Sequence, residues 1–551
     1  MSRVLLGIEK LLADPSPLDG KRFGLITNLS GTTSEGVPSW RALAALRAGK
    51  LMRLFGPEHG VDGGAIYMEA VGDATHAPSG LPAVSLYGDS IASLKPKRQD
   101  LAGLDALVFD VADIGSRYYT YIWTMMLAME AAAEAGLRFV VCDRPNPIGG
   151  AVEGAPQEPE LLSFVGLHPV SVRHGLTAGE MSRLLAAEKR LDLDLVVCRA
   201  LGWSRDMAFE RTGLPWVPPS PNMPTVETAL VYPGMCLLEG TNLSEGRGTT
   251  SPFLKFGAPW LDALAFADAL NTRKLPGVAF LPTHFRPMFD KHAGATCGGA
   301  QTRVTDPAAF RSFETGLSII ETAHGMAPAD FRWRSEPYEF DPRPAIDLLT
   351  GSERFRKTID AGGRLALEIA HHDAEAARFL ARREPFLLYP DRKPAVVAFV
   401  GGHNAGKTTL VTALLPKLSA LGLRVGTLKH TGKDAEDDIA GKDSYRLAQG
   451  AAVSAFVTPE RTTARRFGPE EPFEALCARV FADCDLVLIE GYKSLAAVKV
   501  EVTRAGASRP PMPGAALRVG DGADDDGVLT LRPDDLDGIV AAVLRLAGLD
   551  R

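Results

Sequence analysis

The 551-residue chain contains six cysteines and no C-x-x-C pair among them. Cysteines at 142, 198, 236, 297, 477 and 484 are too scattered for a disulfide framework or a zinc ribbon. They read as reduced, mostly buried thiols of a cytosolic protein. No stretch approaches the ~20 consecutive apolar residues of a membrane span. The opening residues, M-S-R-V-L-L-G-I-E-K, hold too short an apolar run for a secretory signal, and no cleavage site follows. Basic charge is lacking too: the net charge is −7, whereas a dedicated nucleic-acid binder is usually positive. No internal repeat occurs. No G-x-G-x-x-G follows any strand-like run in the first two hundred residues, which argues against a dinucleotide cofactor there. Together these absences predict a cytoplasmic protein with no membrane span and no nucleic-acid partner.

What remains is an ordinary globular composition, 46% hydrophobic and 23% charged, in a chain long enough for about three domains. The first two hundred residues alternate strand-like and helical runs, which predicts a parallel α/β sheet. Strands are expected at 22–27, 51–55, 106–110, 139–142 and 195–198, with helices at 40–48 and 121–135, the latter closed by Gly136. Polar or glycine-rich loops follow the strands at 28–31, 56–60, 110–113 and 143–147, and such loops gather ligands at the carboxyl ends of a parallel sheet. A proline-rich segment at 215–224 marks a crossover into a less regular α+β region that extends to about Tyr389. Residues 390–394 form a short polar joint, too short for a long tether. Two further biased stretches, 509–514 and 520–526, read as surface loops.

Residues 401–408, G-G-H-N-A-G-K-T, fit the phosphate-cradling pattern G-x-x-x-x-G-K-[ST]. An apolar β-branched run at 395–400 precedes them, and a helical pattern at 409–421 follows and stops at Gly422. A strand feeding a glycine-rich turn into a helix aims backbone N–H groups and the positive dipole end at an anion. Gly401, Asn404, Ala405, Gly406 and Thr409 would shape the cradle. Lys407 would meet the β/γ-phosphates, and the Thr408 hydroxyl would ligate Mg²⁺. A second strand, 424–430, ends in the basic pair Lys429 and His430, and a polar stretch lies at 438–446. The apolar run 485–491 would bring Glu490 to the metal or its water. Neither N-K-x-D nor T-K-x-D occurs, so no guanine-selecting motif identifies the base.

Earlier in the chain, carboxylates sit on glycine-flanked backbone in two places, F-G-P-E-H-G at 55–60 and L-E-G-T-N-L-S-E-G-R-G-T at 238–249. Glycosidic hydrolysis needs two carboxyl groups in different protonation states. Arg117, Arg173 and Arg247 could each hold an anionic group through paired hydrogen bonds. Residue type alone leaves the structural alternatives open: Glu58 capping its own turn, or Arg247 pairing with Glu245 on the surface.

These segments resemble a known family. G-P-E-H-G at 56–60, S-L-Y-G at 85–88, D-I-G-S-R-Y-Y-T-Y-I-W-T at 113–124 and D-R-P-N-P-I-G-G at 143–150 are similar to the exo-β-N-acetylmuramidase, NamZ-like, family. So are R-H-G-L-T at 173–177, P-S-P-N-M-P at 219–224, E-G-T-N-L-S-E-G-R-G at 239–248, Y-E-F at 338–340 and A-I-D-L-L-T-G at 345–351. The resemblance spans about residues 23–389. It implies a Rossmann-like domain over 1–225 and a smaller α+β domain over 226–389, with the site in the cleft between them. The implied activity is release of N-acetylmuramic acid from the non-reducing ends of peptidoglycan fragments, with no cofactor. It places the leading catalytic carboxylate on Glu58, flanked by His59, and leaves Glu239 and Glu245 as candidates for the second carboxylate. The sugar-binding set would be Arg117, Asn146, Arg173, His174, Asn242 and Arg247, and His174 is a further candidate for the second group. An arginine at the cleft would pair with the lactyl carboxylate of muramic acid. Many relatives are exported whereas this chain shows no export signal, so the expected substrate is a small muropeptide sugar inside the cell. The competing reading is a non-catalytic muropeptide sensor coupled to a slow GTPase.

The remainder, 394–551, resembles the molybdopterin-guanine dinucleotide biosynthesis adaptor family, MobB. The similarity lies in G-H-N-A-G-K-T-T-L at 402–410, L-K-H at 428–430, G-K-D-S-Y-R at 441–446 and I-E-G-Y-K at 489–493. It implies a P-loop α/β domain that binds GTP with Mg²⁺, has at most weak GTPase activity, and partners the molybdenum cofactor guanylyltransferase. Relatives often carry a further histidine after the Lys-His pair. Here Lys429 and His430 are followed by T-G-K-D.

Overall fold

A computed structural model describes residues 3–63, 74–88, 91–389, 394–402, 404–430, 453–457, 462–466, 472–481, 484–495, 497–504, 512–520 and 527–549. The joint at 390–393, the stretches 431–434 and 438–446, and most of the loops 509–514 and 520–526 lie outside the described residues. The chain divides into two compact units, Ser2–Asp391 and Arg392–Arg551.

Seven strands form the main sheet of the first unit: β1 (Arg22–Thr27), β2 (Lys50–Gly56), β3 (Ala74–His76), β4 (Leu81–Ser85), β5 (Ala106–Asp110), β6 (Arg138–Cys142) and β7 (Leu195–Cys198). Their order is β3-β4-β2-β1-β5-β6-β7, and every pairing is parallel except β3 with β4. All five residues of β5 are buried, as are five of the six in β1. Strands this uniformly apolar belong at the centre of a sheet covered on both faces. From β1 the chain builds outward through β2 to β4 and then returns to lay β5 on the other side of β1. The topological switch point therefore lies between the carboxyl ends of β1 and β5.

The helix Tyr121–Ala135 packs ten buried residues, Trp123 among them, and ends at Gly136. The left-handed conformation of that glycine (φ 65°) lets its N–H bond back to the carbonyls of Ala132 and Ala133. The helix expected at 40–48 is shorter, Ser39–Ala44. Beyond it the backbone serves the sheet instead: the Ala48 carbonyl accepts from the Gly20 N–H and Lys50 N–H donates to Lys21, which leads the chain into β2.

The rest of this unit contains an antiparallel sheet ordered β8-β10-β9, from β8 (Lys255–Ala258), β9 (Val278–Phe285) and β10 (Cys297–Val304). The helices Val226–Met235 and Ser312–Met326 cross backbone to backbone at Gly234 and Gly316. A Cβ on Gly234 would stand 1.8 Å from the Ser312 carbonyl oxygen. One hydrophobic core runs from the main sheet (Ile26, Phe55, Phe109) through to Leu349 and Phe379.

The second unit is built on a parallel sheet of six strands: β11 (Ala395–Gly401), β12 (Val425–Lys429), β15 (Leu486–Glu490), β16 (Val498–Val502), β17 (Ala515–Val519) and β18 (Thr530–Leu531), in the order β12-β15-β11-β16-β17-β18. A separate hairpin pairs β13 (Val453–Val457) with β14 (Thr462–Arg466). The helix Lys407–Ala420 follows β11 directly and buries Leu410, Leu414 and Leu418 beside Val397 and Phe399. Among the described residues, no helix is long and apolar enough to cross a membrane.

Candidate functional site

In the first unit, the loop after β2 turns sharply. The Gly60 N–H bonds to the Pro57 carbonyl, and His59 and Gly60 both adopt left-handed backbone, φ 71° and 75°. Such a conformation is costly for a residue other than glycine and persists where the surroundings enforce it. The turn sets Glu58 and His59 in the wall of a cleft enclosing about 530 Å³, part of it open to solvent. The Thr120 hydroxyl, at the start of the helix Tyr121–Ala135, donates to Glu58 Oε2 at 2.8 Å, while His59 Nε2 stands 3.9 Å from Oε1.

Another part of the lining comes from the short turn Cys236–Gly240, which presents Glu239. Arg247 donates to Glu239 Oε1 at 2.8 Å and Tyr338 donates to Oε2 at 2.8 Å. Burial alone would raise the Glu239 pKa. Attraction and hydrogen bonding from Arg247, with help from Lys291 and Tyr338, outweigh burial and hold the carboxyl below its usual value. Arg247 lies over the Phe253 ring at 5.0 Å and also faces Glu245 Oε1 at 3.4 Å. Lys291 closes the chain at 2.7 Å from Glu245 Oε2. Two carboxylates and two cations thus compensate one another.

Of the residues singled out from sequence, the fold brings Glu58, His59, Glu239 and Arg247 to this cleft. Glu245 is buried behind Arg247 instead of lining it. The other residues expected around the sugar have partners elsewhere. Arg117 is wholly buried, and its guanidinium donates to the carbonyls of Ala155, Val170 and Leu349. Arg173 pairs with Glu153 at 2.8 Å. Asn146 bridges the Leu176 carbonyl and the Ile148 N–H. His174, fully buried, accepts the Leu176 N–H on Nδ1. Asn242 bridges the Asp330 carbonyl and the Arg332 N–H. Long polar side chains in these positions hold loops together, and their residue types cannot separate that duty from ligand binding.

Other residues line the cleft without having been singled out. Tyr118 presents a buried hydroxyl that finds no hydrogen-bond partner among the described residues, and Tyr119 a buried hydroxyl that faces Ser220 and Tyr121. Burial pushes both phenols well above their ordinary pKa, so each remains a neutral O–H donor. Glu339, with left-handed backbone (φ 46°), adds a third carboxylate to the wall. Tyr87 is pushed up by burial and by the charges of Glu58 and Glu339. The sequence does carry a signal for the phenols: three tyrosines at 118, 119 and 121, where the helix Tyr121–Ala135 begins.

In the second unit the loop after β11 reaches the helix Lys407–Ala420 through Gly406, whose φ is +90°. A Cβ built on Gly406 would meet nothing within 4 Å, so the left-handed backbone and not crowding is what favours glycine there. Asn404 is also left-handed, at φ 57°. Ala405 donates from its N–H to the Gly402 carbonyl, and Thr409 lies exposed in the first turn of the helix. Lys407 Nζ bonds to the Gly402 carbonyl at 2.6 Å. The Thr408 hydroxyl donates to Glu490 Oε2 at 2.6 Å, and Lys429 stands 3.4 Å from Glu490 Oε1. The residues on which a nucleotide and its cation were expected therefore meet at one mouth of the sheet. Beside them His430 stacks on Tyr492 at 4.0 Å.

Comparison with known proteins agrees with this division. Residues 23–227 match the family model for the exo-β-N-acetylmuramidase NamZ N-terminal region, residues 230–389 that for its C-terminal region, and residues 396–517 that for molybdopterin guanine dinucleotide synthesis protein B. The chain is 44% identical over 389 residues to the peptidoglycan β-N-acetylmuramidase NamZ of Bacillus subtilis, covering 70% of this chain and 92% of that protein. It is 36% identical over 121 residues to the molybdopterin-guanine dinucleotide biosynthesis adapter protein of Escherichia coli, covering 21% of this chain and 69% of that protein. A crystal structure of a DUF1343-family protein from Bacteroides fragilis superposes with a TM-score of 0.65 at 34% identity, covering 70% of this chain and 99% of that one. The chain belongs to the exo-β-N-acetylmuramidase NamZ family and carries, fused behind it, a domain of the molybdopterin guanine dinucleotide synthesis protein B family.

Proposed function

We propose that the first unit is a glycoside hydrolase that releases N-acetylmuramic acid from the non-reducing ends of small peptidoglycan fragments in the cytoplasm. The observation that carries this reading is that Glu58 and Glu239 both line one cleft, with Glu239 held ionised by Arg247. Glycosidic hydrolysis asks for one carboxyl group as proton donor and one as anion. Glu58 donates the proton to the departing sugar oxygen, and water supplies both the hydroxyl that the anomeric carbon gains and the proton that restores Glu58. Glu239 carries the negative charge that favours the oxocarbenium-like transition state. Glu245 and Lys291 keep Arg247 in place behind it.

Recognition of muramic acid is reassigned within the same cleft. Arg247 is the arginine that reaches it, but two carboxylates already compensate its charge. The neutral phenols of Tyr118 and Tyr119 offer O–H donors to the lactyl carboxylate. The deciding experiment is release of N-acetylmuramic acid from a muramic-acid-terminated disaccharide by the purified full chain, with Glu58→Gln as the control.

Three features support a nucleoside triphosphate in the second unit: a left-handed glycine at 406, a helix N-terminus directly after it, and Lys407 and Thr408 in its first turn. We assign it GTP and Mg²⁺. Lys407 would contact the β/γ-phosphates, Thr408 and Glu490 would hold the cation, and the bound metal would neutralise phosphate charge. As in the adapter proteins it resembles, this unit would serve a molybdenum cofactor guanylyltransferase. Titrating the purified chain with GTP, with and without Mg²⁺, tests the assignment.

A further inference from the structure

A second cavity opens at the switch point between the carboxyl ends of β1 and β5. It encloses about 480 Å³, part of it open to solvent. Its polar side is made by the loops after β1 and β5, including Ser30, Thr32 and Asp113, and its apolar side by Pro145, Pro147 and Trp216. Phosphate-bearing ligands commonly occupy this position in open α/β sheets, on a glycine-rich turn. The chemistry here is different. Arg144, the cation at the cavity, is consumed by a two-point pair with Asp110 at 2.6 and 2.9 Å. The Asp113 side chain is only 8% exposed. Its Oδ2 accepts the Gly115 N–H at 2.7 Å and stands 3.5 Å from His174 Nε2, while Oδ1 has no hydrogen-bond partner among the described residues. A buried carboxylate oxygen without a donor is costly, and it is satisfied by a ligand that brings one. A phosphate would be repelled. A neutral polyhydroxylated ring offers O–H donors to Asp113 and a C–H face to the indole of Trp216, whose own N–H is tied to the Met223 carbonyl at 3.2 Å.

The linings of this cavity and of the Glu58 cleft come close along the chain. Val217 lines the one and Ser220 the other, and three residues of chain span at most ~10 Å. Between them the Pro219 carbonyl accepts from Asn28, at the end of β1, and from Tyr121, in the cleft wall. From this arrangement we infer that the switch-point cavity is a saccharide subsite for the sugar on the leaving-group side of the scissile bond, with Asp113 accepting its hydroxyls and Trp216 covering its apolar face. The inference rests on the muramidase reading and adds to it the chemistry of the leaving sugar.

The test compares two substrates on the full chain: a muramic-acid–N-acetylglucosamine disaccharide, and β-N-acetylmuramyl fluoride, whose leaving group is a single atom. Asp113→Asn and Trp216→Ala each lower kcat/KM on the disaccharide by roughly tenfold or more, mainly through KM, the scale of one lost hydrogen bond or ring contact. Turnover of the fluoride stays at the wild-type value. Equal losses on both substrates would mean that the two residues only support the fold, and no loss on either would mean that the cavity holds no sugar. Both results overturn the subsite. If the wild-type chain cleaves neither substrate, the muramidase reading itself fails instead.

Discussion

Arg247 and Glu239 meet at 2.8 Å across a buried wall of the cleft, and each is perturbed by the other. Burial opposes the charge on both, and their mutual attraction overcomes it. A pair of this kind adds little net stability against a well-packed apolar pair, but removal of one partner strands the other. Arg247→Met should therefore destabilise the unit by about 3–5 kcal/mol, since it leaves both Glu239 and Glu245 without their guanidinium. Chemical denaturation of the variant against wild type measures this.

The pH dependence has a definite sign. The folded-state pKa of Glu239 lies below its unfolded value of 4.5, so the stability it contributes is present above that value. It is lost as pH falls through the folded pKa. Wild-type stability should drop more steeply than that of Glu239→Gln as pH is lowered from 5. Parallel melting-temperature profiles of the two proteins would contradict the assignment of an ionised Glu239.

Sugar selectivity should follow the phenols. The wild-type chain should cleave an N-acetylmuramide far faster than the matching N-acetylglucosaminide. Tyr119→Phe should cut the advantage by roughly tenfold or more, the worth of a hydrogen bond to a charged group. A matched loss on both sugars would place Tyr119 outside carboxylate recognition.

Lys407→Ala should weaken GTP binding severely, because the backbone cradle alone lacks a point charge for the β/γ-phosphates. Sugar release by the same sample should be unchanged, since Lys407 belongs to the Arg392–Arg551 unit and the proposed carboxylates to Ser2–Asp391. Loss of hydrolysis in a folded Lys407→Ala protein would replace independent modules with a nucleotide-gated enzyme.

Much of the fold could be read from residue pattern alone. β1, β5 and β7 begin and end where their apolar runs do, and the helix Tyr121–Ala135 stops at the glycine that caps it. The phosphate loop was equally legible, because its spacing encodes a local geometry. The short antiparallel edge strand β3 was not, since three residues carry no usable periodicity. The cleft was only half legible. Glu58 and Glu239 stand out as carboxylates beside glycines. Arg117, Arg173, Asn146, His174 and Asn242 look equally functional, yet they hold backbone carbonyls, amides and a buried glutamate. Which polar side chain faces a cavity is decided by tertiary packing: of three successive residues, Arg117 is buried on backbone carbonyls while Tyr118 and Tyr119 line the cleft.

The most direct measurement is the release of N-acetylmuramic acid from a muramic-acid-terminated disaccharide by wild type and by Glu58→Gln. The amide keeps the shape of the side chain but cannot pass a proton to the leaving oxygen. Wild type should free the muramic acid, and the folded variant should lose that turnover by orders of magnitude while still binding the disaccharide. Near-normal turnover by Glu58→Gln would contradict the assignment of Glu58 as the proton donor, and with it the proposed chemistry of the cleft.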